Sequence, residues 1–178
     1  MLRRVFLVVL SILTVCGCVL SCSKGDDVDI YSFIYELCEA GGSDAHETAV
    51  FYADERSANE NSGLRVRSNE EFGFLYDGVF AEPACFGRIE GFVIRMPQDD
   101  SGFEVHVIKC VNVSDTSEVA AMLQRRVDRL QSAEILEFAP ESYEICFRGA
   151  IVYTRGRLAF LISTYDNEAV RRVIDKQI

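Results

Sequence analysis

Between Phe103 and Val111 the chain alternates: Phe103, Val105 and Val107 fall on one side of an extended backbone, Glu104 and His106 on the other. A period of two marks a strand with one face in a core and the other turned to water. Arg88 to Arg95, with Ile89, Phe92, Val93 and Ile94, reads as the strand before it, and the intervening Pro97-Gln98-Asp99-Asp100-Ser101-Gly102 is rich in turn formers. The pair predicts a β-hairpin with a loop of about six residues. A long helix follows. Ser114 or Asp115 is its N-cap, Asp115-Thr116-Ser117-Glu118 has capping-box spacing, and Val119, Leu123, Val127 and Leu130 form its apolar stripe. Arg125, Arg126, Asp128 and Arg129 occupy its other faces, which are expected to be solvated.

The pattern then repeats. Ala150–Thr154 and Arg157–Thr164 flank Arg155-Gly156, a tight turn in which glycine accepts positive φ. Asp166 or Asn167 caps a last helix carrying Ala169, Val170, Val173 and Ile174, and residues 140–147 read as a short helical turn or an irregular strand entry. The order β-β-α-β-β-α predicts an α+β fold: an antiparallel sheet covered on one face by helices.

Upstream, Ile30, Phe33, Ile34 and Leu37 give Asp29–Ala40 the periodicity of an N-terminal amphipathic helix, which Gly41-Gly42 ends. Ser43 to Arg67 is mostly polar, and only Ala49-Val50-Phe51-Tyr52 offers a short strand or packed turn. Asn69 can cap a short helix through Tyr76 that faces Phe72 and Leu75 or Tyr76 inward. Residues 22–63 therefore read as tether, short helix and flexible stem, and residues 64–178 as the α+β domain.

The first 21 residues have a different logic. Arg3 and Arg4 form a positive head, Val5 to Leu20 is a charge-free run of 16 residues, and Ser21, Cys22, Ser23, Lys24 and Gly25 end the apolar character. A spanning helix needs about 20 predominantly apolar residues. Charged head, apolar middle and small residues before a cut are the parts of an export signal. A cysteine just after the cut is what a lipoprotein signal presents for lipidation. Cys22, behind Ser21 and with Val19 three residues back, is the preferred acyl-bearing residue; Cys18, behind Gly17, is the alternative. The expectation is a signal peptide over residues 1–21 and a lipid anchor, palmitate being a typical acyl group, at the outer face of the cell membrane.

Cleavage before Cys22 leaves 157 residues and a net charge of −12, against −10 for the whole chain. That length suits one domain able to bury about 70% of its unfolded surface. So acidic an exterior repels nucleic acid and anionic head groups, leaving the lipid anchor and an unidentified envelope protein or ligand as partners. Cys38, Cys85, Cys110 and Cys146 remain beside the lipidated residue. Four cysteines outside the cytosol permit disulfides in three connectivities, yet each has apolar neighbours and suits a small buried hydrophobe.

Chemistry is sparse. Of two histidines, His46 lacks a second histidine four residues on, where Val50 stands, and His106 falls on the polar side of its strand beside Glu104. A solvated strand histidine is the expectation for His106. Cys110 with His106 as a nucleophile pair fails on reach, since four strand residues span about 13 Å. Asp99-Asp100 and Asp26-Asp27 lack the spacing of a loop that wraps Ca²⁺, and Asn112-Val113-Ser114 spells a glycosylation acceptor that has no force if the leader is a bacterial one. No catalytic residue, cofactor or metal is assigned.

Residues from about Leu64 to Asp175 resemble the bacterial family called domain of unknown function 4358, whose members are mostly classed as lipoproteins. The resemblance rests on Asn69-Glu70-Glu71-Phe72-Gly73-Phe74-Leu75-Tyr76-Asp77-Gly78, the strand pair around Phe92 and Val107, and the helix with Arg125-Arg126 and Gln131. Pro140-Glu141 and Val152-Tyr153-Thr154-Arg155-Gly156 complete it. It implies an exported, membrane-tethered domain and lends no catalytic residues. Two functions of different class are expected: a non-enzymatic binding or structural module at the envelope, or an envelope enzyme or enzyme subunit. A deep polar pocket holding His106 or a carboxylate pair would favour the second.

Overall fold

A computed structural model describes residues 28–43, 49–54, 64–97 and 101–178. Its strands are β1 (Ala49–Ala53), β2 (Arg65–Val66), β3 (Ile89–Pro97), β4 (Glu104–Cys110), β5 (Ile151–Arg155) and β6 (Leu158–Ser163). They form one sheet in the order β2-β1-β3-β4-β6-β5. Five strands pair antiparallel; β2 adds to the β1 edge in parallel. The helices are α1 (Ile30–Ala40), α2 (Asn69–Asp77), α3 (Thr116–Leu130), α4 (Ala133–Phe138), α5 (Glu141–Gly149) and α6 (Asn167–Gln177). The fold is α+β, and both hairpins and the helix after each stand in the expected order.

Local chemistry sets the ends. Ser68 and Glu71 close a reciprocal capping box at the start of α2, and Gly78 ends it at φ 74°, a conformation glycine adopts without a Cβ clash. Asp166 caps α6 by accepting from the Ala169 amide. The α3 box lies one turn earlier than expected: Asn112 and Asp115 form it around a short 3₁₀ turn, Val113–Asp115. Gly156 turns the β5–β6 hairpin at φ 55°.

Helices cover both faces of the sheet, not one. Val93, Val105, Val107, Leu158, Phe160 and Ile162 pack with Ile30, Phe33, Ile34 and Leu37 of α1 and Val170 and Ile174 of α6. On the opposite face Phe92, Ile94, Ile108, Cys110, Ala159 and Leu161 pack with Phe72, Leu75 and Tyr76 of α2 and Val119, Met122, Leu123 and Val127 of α3. The physical reason is the apolar content of both strand faces: a sheet with two apolar sides needs two partners. The segment read as tether, short helix and stem supplies one of them through its helix. α1 is core, and β1 pairs along β3, from Ala49 opposite Pro97 to Ala53 opposite Val93. The remainder of residues 43–63 beyond Ser43, β1 and Asp54 lies outside the described residues.

Candidate functional site

Tyr76, His106, Glu104 and Arg126 meet between the sheet and the α2–α3 layer. Glu104 and His106 share a β4 face with Ile108 and Cys110, as a period of two requires. Tyr76 comes from the last turn of α2 and Arg126 from the middle of α3. The Tyr76 hydroxyl lies 2.8 Å from His106 Nδ1, with the rings edge to face. His106 Nε2 lies 3.2 Å from Glu104 Oε2. Arg126 grips the same carboxylate with two bonds, Nη2 to Oε1 at 2.6 Å and Nε to Oε2 at 3.1 Å. Its Nη1 also reaches the Leu75 carbonyl in the last turn of α2, which Arg129 Nη2 donates to as well.

Burial and charge fix the protonation states. Burial pushes the Glu104 carboxyl up, but the Arg126 guanidinium and His106 more than reverse this and hold it at about 2. Burial lowers the His106 value, with Glu104 opposing only in part, so the ring is neutral. Burial raises Tyr76 well above an ordinary phenol. A neutral imidazole has one N–H, and the carboxylate beside Nε2 draws it there. Nδ1 is then the acceptor, and the Tyr76 hydroxyl donates to it.

Hydroxyl, imidazole and carboxylate thus stand in the order of a general-base relay, although Nε2 and the carboxylate oxygen, 3.2 Å apart, are not aligned as a hydrogen bond. Access decides against that use. Tyr76 is 1% exposed, His106 0% and Glu104 2%, so no substrate atom reaches the hydroxyl. What the arrangement does is tie α2, α3 and β4 together in a low-dielectric layer where paired charges are strong and unpaired ones costly.

His106 is therefore a buried, bonded residue and not a solvated one. The alternation that suggested water on that side reports a second core face with a polar network in it. Arg126 is likewise largely buried, its guanidinium raised in pKa because Glu104 outweighs the lowering effect of burial. One signal pointed to it: Arg126 stands three residues after Leu123 and four before Leu130, at the centre of the apolar stripe.

The other sequence-level candidates separate. Cys22, the alternative Cys18, His46, Asp26-Asp27 and Asp99-Asp100 lie outside the described residues. Cys38, Cys85, Cys110 and Cys146 are buried thiols in no disulfide. Burial pushes Cys110 up to about 12 and raises Cys85, whose thiol donates to Met122 Sδ at 3.5 Å, so neither is a ready nucleophile.

Surface clefts open elsewhere. Two of about 200 Å³ share Glu90 and Gly91, one with Asp54 and Asn69, the other with Asp29 and Lys109. One of about 420 Å³ lies between α1 and α6, and one of about 400 Å³ on the α4–α5 corner. None of these four takes in His106 or Glu104. Among the described residues no group of three or more His, Cys, Asp and Glu side chains is placed to hold a metal ion, and no helix is long and apolar enough to cross a membrane. No family model, curated protein or solved structure matches the chain.

Proposed function

We propose that the chain is an exported lipoprotein, anchored through Cys22 (or Cys18) at the outer face of the cell membrane, and that its domain is a non-enzymatic binding or structural module. The observation that carries the anchor is the succession Arg3-Arg4, the apolar run to Leu20, and Ser21-Cys22 before a polar tether. The resemblance of residues 64–175 to domain of unknown function 4358 supports the same reading. So does the closure of the Tyr76–His106–Glu104 relay, because the polar groups best arranged for chemistry have no contact with solvent.

Membrane fractionation tests it. The native chain should sediment with membranes and the Cys22→Ala variant should not. Retention of Cys22→Ala together with release of Cys18→Ala moves the anchor to Cys18; retention of both variants removes the lipoprotein reading. One observation favours an envelope enzyme instead: the relay order itself. On that reading a catalytic step would depend on His106, and opening of α2 would have to expose the Tyr76 hydroxyl.

A further inference from the structure

The α4–α5 corner is built unlike the rest of the domain. α4 buries none of its residues, although Ile135, Leu136 and Phe138 make half of its six. Phe138 is 80% exposed, more than any other large apolar side chain among the described residues. Pro140 ends α4 by holding Ala139 extended at φ −74°, ψ 139°, and opens α5. Ile135, Phe138, Ala139, Pro140 and Tyr143 then line a cleft of about 400 Å³, with Glu134 beside them.

The sequence around the cleft is acidic. Glu134 lines it, Glu137 follows three residues on in α4, next to the lining Phe138, and Glu141 begins α5 just past the lining Pro140. Among the described residues none of the three is in an ion pair, whereas Glu144 is held by Arg148. Glu134 and Glu141 also serve the positive ends of their own helices. Glu137 cannot, since it stands in the last turn of α4, where a helix disfavours a carboxylate. An apolar floor with uncompensated carboxylates selects among occupants. A second copy in a two-fold contact would set these glutamates against themselves, and anionic lipid is repelled. A basic partner is attracted by both features.

We propose, resting on the reading of the domain as a binding module, that this corner docks a basic amphipathic segment of a partner protein. One large apolar side chain of that segment fills the cleft over Phe138, and flanking lysines or arginines meet Glu134, Glu137 and Glu141.

The chain contains no tryptophan, so Phe138→Trp gives the cleft its own fluorescence. The full chain in phosphatidylcholine nanodiscs is titrated with a designed amphipathic peptide of leucine and lysine, and with a twin carrying glutamate for every lysine. The lysine peptide should shift the emission to the blue and the twin should not. Glu134→Lys with Glu137→Lys should reverse that preference, and Phe138→Ser should weaken binding of a labelled lysine peptide about tenfold or more, as loss of an anchor does. Unfolding is not at issue, because Phe138 is exposed and circular dichroism checks it. Equal response to both peptides overturns the proposal, as does a blue shift before any peptide is added. If brominated lipid quenches that early shift, a membrane covers the cleft; if the shift follows protein concentration, a second copy does. Failure here leaves the anchor at Cys22 standing, since fractionation reads that separately.

Discussion

Arg126 of α3 and Glu104 of β4 form a two-bonded ion pair, 2.6 Å and 3.1 Å, in the layer between helix and sheet. Cutting one partner out leaves the other charge buried and uncompensated, which costs about 3–5 kcal/mol. Arg126→Ala should lose that much in urea melts. Replacing both residues by leucine should recover most of it, because the pair then leaves no lone charge behind. A loss below about 0.5 kcal/mol for the single variant, typical of surface sites, would contradict the pairing.

Acid should weaken the fold in two stages. Glu104 and His106 both hold protons less readily folded than unfolded, so the unfolded chain binds more protons and stability rises with pH. The His106 contribution is complete above its ordinary 6.5 and is lost as pH falls below it toward the depressed folded value. The Glu104 contribution is complete above 4.5 and is lost as pH falls toward about 2. Urea midpoints of the native chain should drop between about pH 7 and pH 5, and His106→Gln should flatten that drop. A native midpoint that stays constant there would mean the ring is not held neutral.

How far these features were legible depends on what each residue signals. The stripe Val119, Leu123, Val127 and Leu130 announced a core helix and is buried as such. Arg126 sits within that stripe, but an arginine there reads as solvent-facing unless its partner is seen. That partner is 22 residues away in another element. Glu104 and His106 misled in the same manner: in a sheet with one dry face, polar alternate residues mean water, and in a sheet covered on both they mean a buried network. α1 was legible as a helix through Ile30, Phe33, Ile34 and Leu37. Its packing on the sheet was not, because helical periodicity says that a face is apolar and not what covers it. α4 went unread because six residues are too few for a period to show.

Leu123 is wholly buried against that sheet. Leu123→Ala should cost roughly 2–5 kcal/mol, the range for a buried leucine whose cavity does not collapse. Denaturant melts check it. A loss near zero would make the α3 stripe a surface.

Gly73 gives a prediction opposite to helix propensity. Alanine in a helix interior is ordinarily worth up to about 1 kcal/mol over glycine. Here a Cβ would lie 1.7 Å from the Ala81 carbonyl oxygen, where the chain after α2 folds back on it. Gly73→Ala should therefore destabilise by roughly 1–3 kcal/mol through overpacking. A raised thermal midpoint would show that the 78–83 segment does not press on α2.

Mass spectrometry of the protein extracted from native membranes reads the anchor directly. The predicted result is an amino-terminal peptide that begins at Cys22 and carries acyl chains, with residues 1–21 gone. An unmodified amino terminus, or an intact peptide running through Ser21 and Cys22 from Met1, would contradict it.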